Sequence, residues 1–107
     1  MLPYEISPAE AAQLLREKAV RLVDVREPWE FAAARIEGSH HLPMGEMATR
    51  AHKELNFEER LLVVCHHGVR SLNAAAWLRR QGFENAQSLC GGIDAWSVAV
   101  DPNVPRY

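Results

Sequence analysis

Apolar residues along this 107-residue chain come in short bursts with two alternating rhythms, separated by polar, glycine or proline punctuation. Val20 to Val25 and Leu61 to Val64 are compact runs rich in Val and Leu, the pattern of buried strands. Ala86 to Leu89 is a further short strand, and Ser39 to Leu42 is a weaker one cut off by Pro43. Between these runs the spacing turns helical. Ser7-Pro8-Ala9-Glu10 supplies an N-cap serine, a proline at the first helical position and a glutamate that closes a capping box. Ala11, Leu14, Leu15 and the stem of Lys18 continue one face, so a helix should reach about Lys18. Pro28 opens a short helix over Trp29 to Ala34, with Trp29 and Phe31 as its anchors, and Gly38 breaks it. Met44, Met47, Ala48, Ala51 and Leu55 fall at helical spacing. Leu72 to Leu78 is apolar nearly all round, which predicts a covered central helix that starts at Ser71 and stops at Gly82. Gly91-Gly92 marks a tight turn, Ile93 to Trp96 a helical turn, and Asp101 to Tyr107 a proline-containing tail. Trp77 and Trp96 are read as core anchors first.

Strands alternating with helices at this spacing predict one α/β domain over residues 1–107, an open and mainly parallel sheet. In such sheets function sits beyond the carboxyl ends of the strands, where Asp24 and Cys65 both fall. Composition then removes alternatives. With 24% charged residues and net charge −2 there is no basic excess to suggest nucleic acid, and no long apolar run to span a membrane. Met-Leu-Pro-Tyr-Glu-Ile-Ser lacks the basic and apolar regions of a signal peptide, so a cytoplasmic location is the expectation. Two cysteines are too few for a disulfide framework, and reduced thiols follow.

The chemistry concentrates between Arg60 and Gly82. A strand that ends on Cys65, makes a short loop and opens a helix aims backbone N–H groups and the positive helix end at the sulfur. That setting stabilises a thiolate or an anion beside it, so Cys65 is read as reactive and not as a small buried apolar residue. Gly68 allows the loop a positive φ. Arg70 suits a bidentate contact to an oxyanion, against the plainer reading of a surface charge.

Four ordered segments resemble the signatures of the rhodaneses, sulfurtransferases whose cysteine carries a persulfide. They are Val23 to Phe31, Ile36 to Pro43, Val63 to Ser71 and Cys90 to Trp96, and together they cover nearly the whole chain. The resemblance implies a rhodanese-like open parallel sheet of about five strands with helices on both faces, and adds a strand near Tyr4 to Ile6. It implies a ping-pong mechanism in which Cys65 takes sulfur from a thiosulfate-like donor and passes it to a thiol or to cyanide. The backbone of His66, His67, Gly68, Val69 and Arg70 would cradle the persulfide, with Ser71 in support. No cofactor is implied. Phosphatases and arsenate reductases on the same fold are a second reading, but the phosphatases place one residue more between cysteine and arginine. Here four intervene, His66 to Val69. A third reading is a relay or binding module loaded by a sulfur-relay protein partner.

His66 and His67 stand where thiosulfate-preferring members often carry fixed positive charge, and histidines are mostly neutral at pH 7. They are read either as exposed residues that contribute only backbone N–H groups or as binders of donor or acceptor. A metal site is disfavoured, on the grounds that adjacent side chains in a tight loop point apart and no third ligand is evident. Asp24 and Arg26 match the family's Asp-x-Arg segment and are assigned a structural role, Asp24 bracing the site by hydrogen bonds and Arg26 as an ion-pair partner, with a place in the cleft as the alternative for Arg26. Ala34-Arg35-Ile36 replaces the usual Gly-His-Ile, so no role passes to the missing histidine. His40 and His41 are assigned to a buried strand and its neighbour. Cys90 is read as a small buried apolar residue, with a resolving thiol for the Cys65 persulfide as the sharper alternative.

Overall fold

The computed structural model describes all 107 residues. Five parallel strands form one sheet: β1 (Glu5–Ile6), β2 (Arg21–Asp24), β3 (His40–His41), β4 (Leu61–Val64) and β5 (Ala86–Leu89), in the order β1-β5-β4-β2-β3. The helices are α1 (Pro8–Arg16), α2 (Pro28–Ala33), α3 (Met47–Glu54), α4 (Val69–Arg80) and α5 (Gly92–Ala99), with a 3-10 turn at Met44–Glu46 before α3.

The central strand shows why the helices divide between two faces. Along β4 all four residues are buried, and their side chains alternate. Leu61 and Val63 join Met47, Ala51, Ala74, Ala75, Leu78 and Phe83 in one core; Leu62 and Val64 join Ala11, Ala12, Ile93 and Trp96 in the other. The first core lies under α3 and α4 and the second under α1 and α5. A strand buried on both faces must be apolar throughout, which is what the Leu61–Val64 run is. No helix is long and apolar enough to cross a membrane.

Several expected boundaries move, each for a local reason. Helix α1 stops at Arg16 because Lys18 takes a left-handed conformation (φ 54°). Lys18 N–H then donates to Leu15 O and Ala19 N–H to Leu14 O, a Schellman stop made without glycine. Helix α4 begins at Val69 and not at Ser71, because Gly68 at φ 103° already turns the chain into the helix. That helix is covered on one side only: Ser71, Ala74, Ala75 and Leu78 are buried, Asn73 and Arg80 are exposed, and Trp77 is half-buried. Trp29 is no anchor; it is 65% exposed, and the buried residue of α2 is Glu30. His40 and His41 lie on β3 but are half-buried, with Phe31 stacked on His41 at 4.3 Å.

Candidate active site

In the parallel register Asp24 pairs with Val64, so β2 and β4 end level and place Arg26 and Cys65 at the same edge of the sheet. Beyond β4 the chain turns through Cys65, His66, His67 and Gly68 into α4. Cys65 Sγ accepts the Gly68 N–H at 3.0 Å and lies 3.3 Å from Ser71 Oγ. Gly68 is the N-cap of α4, and Val69, Arg70 and Ser71 present the remaining first-turn N–H groups with no acceptor in the chain. The sulfur therefore sits at the positive end of a twelve-residue helix beside unbonded donors. Ser71 is itself fixed, 2.7 Å from Ser88 Oγ on β5 and donating to Gly68 O at 3.2 Å.

The loop is held from behind by α5. Ile93 N–H donates to Cys65 O at 2.8 Å and Asp94 N–H to His66 O at 3.1 Å, so these carbonyls face α5. This approach requires glycine: Gly92 has φ 63°, and a Cβ there would overlap the carbonyls of Cys65 and His66.

A chain of charged groups runs from β2 to Arg70. Asp24 and Arg26 are fully buried and joined by three side-chain contacts of 2.7 to 3.1 Å. Arg26 also donates to the carbonyls of Glu30 and Ala34 and to Tyr107 Oη at 2.9 Å. Burial works to lower the Arg26 pKa, but Asp24 and Tyr107 together hold it above its ordinary value. Tyr107 in turn donates to Glu30 Oε2 at 2.7 Å. Arg70 forks onto the same carboxylate, Nη1 to Oε1 at 2.7 Å and Nη2 to Oε2 at 2.9 Å. Those bonds, with the Glu27 N–H and Tyr107, pull the Glu30 pKa down to about 2 against the opposing effect of burial. Burial drives the Tyr107 hydroxyl the other way, up to about 12.

The histidines do not point apart. The His66 and His67 rings stack at 4.0 Å, and Tyr107 stacks on the other side of His66 at 4.1 Å. Burial, and next the neighbouring His67, push the His66 pKa below its usual value, which keeps the ring neutral at pH 7. Asp94 supplies the third group the sequence did not reveal: ligand atoms of His66, His67 and Asp94 lie within 4.8 Å of one another. Both grounds for setting a metal aside are thus corrected. Ligation would still require the rings to unstack and Asp94 to leave Arg106, which holds it by two bonds of 2.8 and 3.1 Å. These residues and Tyr107 line an open cleft of about 340 Å³.

The structure gathers Cys65, the loop from His66 to Arg70, Ser71, Asp24 and Arg26 at one end of the sheet. It separates Cys90 from its plainer reading, for Cys90 is exposed and not packed, and both cysteines are free thiols. Two site residues escaped the sequence reading, Glu30 and Tyr107. Glu30 did leave a signal, since Glu27 and Glu30 have capping-box spacing and the Glu27 N–H does bond Glu30 Oε1 at 3.0 Å. Nothing in the tail marks Tyr107.

Comparison with known proteins agrees with this fold. The family model described as a rhodanese-like domain matches residues 7–99. Thiosulfate sulfurtransferase GlpE of Pseudomonas syringae is 41% identical over 96 residues, which is 90% of each chain. The rhodanese-like/PpiC domain-containing protein 12 of Arabidopsis thaliana is 40% identical over 90 residues, 81% of this chain but 30% of that longer protein. Among solved structures, a rhodanese-related protein from Thermoplasma volcanium superposes with a TM-score of 0.85 at 30% identity, covering 98% of this chain and all of that one.

Proposed function

This chain belongs to the rhodanese-like domain family, and we propose that it transfers sulfane sulfur through a persulfide on Cys65. The observation that carries the proposal is the Gly68 N–H on Cys65 Sγ at 3.0 Å, with the unbonded donors of Val69, Arg70 and Ser71 beside it. Those donors suit an anion one sulfur larger than a thiolate. In the first half-reaction the Cys65 thiolate attacks the outer sulfur of a donor such as thiosulfate. The S–S bond of the donor breaks, and sulfite leaves with the electron pair. The persulfide anion left on Cys65 is stabilised by preorganised N–H groups that need no rearrangement. In the second half-reaction a thiol or cyanide attacks the outer sulfur, and the Cys65 thiolate returns as leaving group. Arg70 borders the donor position, while Asp24 and Arg26 hold the floor of the site.

Intact-mass measurement tests this directly. Incubation with excess thiosulfate should add one sulfur to the protein, lost again on addition of cyanide and never gained by Cys65→Ser. Loading by a persulfidated protein but never by thiosulfate would assign the donor to a partner protein. Full turnover in Cys65→Ser would overturn the mechanism.

A further inference from the structure

The arginine that borders the donor position already holds an anion, and the chain itself supplies it. The Glu30 side chain is 5% exposed, and its two oxygens accept four hydrogen bonds: two from Arg70, one from the Glu27 N–H and one from Tyr107. Each terminal nitrogen of Arg70 gives one N–H to this fork, so an anion that reaches its remaining donors lies beside the Glu30 carboxylate. Arg70 is also the one fixed cation between Cys65 and Ser71, since the other members are two histidines, a glycine and a valine. Burial keeps His66 below its usual pKa, so it adds no charge at pH 7. The guanidinium–carboxylate pair is neutral as a unit, as is the Arg106–Asp94 pair in the adjoining cleft, and attraction for an anion comes chiefly from backbone N–H groups.

A donor that carries an oxyanion group must displace Glu30 from Arg70 or sit beside its carboxylate. Displacement strips a buried carboxylate of two of its four bonds, and sitting beside it places like charges together. The protonated persulfide R–S–SH, the form a thiolate attacks, carries no charge on its transferable sulfur and meets neither obstacle. The cleft of about 340 Å³ beside His66 has room for the remainder of a small thiol. We infer that Glu30 is a specificity-determining residue that selects against oxyanion donors, and that the donor this site takes best is the persulfide of a small thiol. The inference rests on the sulfurtransferase reading and narrows its donor. In the step itself the Cys65 thiolate attacks the terminal sulfur of R–S–SH and the S–S bond breaks. R–S⁻ leaves with the electron pair, and Cys65–S–SH forms with no net oxidation.

Steady-state kinetics with the persulfide of 2-mercaptoethanol, which carries no carboxylate, and with thiosulfate, cyanide as acceptor in both, test the inference. For the wild type, kcat/KM should be at least about tenfold higher with the persulfide. Glu30→Gln should narrow that ratio by roughly tenfold, through a lower KM for thiosulfate, the size expected of bonds between charged groups. Damage to the fold would raise that KM, not lower it. If Glu30→Gln does not fold, Glu30→Asp draws the carboxylate back by one methylene and should narrow the ratio in the same direction by less. A wild type that uses thiosulfate as well as persulfide, or a folded Glu30 variant with an unchanged ratio, overturns the inference. Failure of both donors to load wild-type Cys65 overturns instead the sulfurtransferase reading beneath it.

Discussion

Cys65 is 1% exposed, yet its sulfur has two polar neighbours, the Gly68 N–H and the Ser71 hydroxyl. The second of these joins Cys65 to the sheet, because Ser71 also meets Ser88 on β5 at 2.7 Å. In the thiolate state the Ser71 hydroxyl can turn its proton from Gly68 O to sulfur, exchanging a neutral hydrogen bond for a charged one in the cradle. Ser71→Ala should therefore slow sulfur loading from thiosulfate by roughly tenfold while costing only about 1 kcal/mol of stability. Stopped-flow loading and urea denaturation of one preparation separate the two effects. Loading at the wild-type rate would show that the backbone alone sets the reactivity of Cys65.

Loop and helix form one unit at the scale of elements, because the head of α5 holds the loop carbonyls and thereby sets the direction of its N–H groups. Gly92→Ala introduces a Cβ where the carbonyls of Cys65 and His66 already sit, at a φ of 63° that a side chain disfavours. The left-handed conformation alone costs about 1–2 kcal/mol, and the overlap displaces the loop further. The expected outcome is a lower Tm together with at least a tenfold loss of sulfur loading; a variant that loses stability but loads normally would uncouple α5 from the site. The same scale explains what the amino-acid order revealed. The Leu61–Val64 run, Cys65 at its end and Gly68 are local features, so the strand, the cysteine that ends it and the helix start are readable to within two residues. Helix α2 falls where its proline opening predicts, but its periodicity favours Trp29 and Phe31 as anchors, whereas Glu30 turns inward to satisfy Arg70 forty residues away. Local hydropathy cannot rank a buried charge whose partners lie on other elements. Tyr107 was invisible for the same reason, being joined to Arg26 across 81 positions and to Glu30 across 77.

For the molecule as a whole, the consequence is a network that links β2, α2, α4 and the carboxyl-terminal tail through two buried carboxylates, Asp24 and Glu30. Asp24, Arg26 and Tyr107 bond one another directly, whereas Arg70 joins them only through the ionised Glu30 carboxylate. Its pKa falls from 4.5 to about 2 on folding, so the folded state binds that proton less tightly than the unfolded chain does. The resulting stabilisation is fully present above about pH 5 and is lost as pH falls through 2, which over the whole window amounts to about 3 kcal/mol. Urea denaturation of the wild type at about pH 6, 4 and 3 should give midpoints that fall with acidity. Glu30→Gln should start lower near neutrality, because a neutral amide cannot accept the Arg70 fork as a carboxylate does. Its midpoint should then decline less over the same range, bringing the two proteins together near pH 3. Parallel declines would place the acid sensitivity on other carboxylates and remove Glu30 as the link that joins α4 to the network.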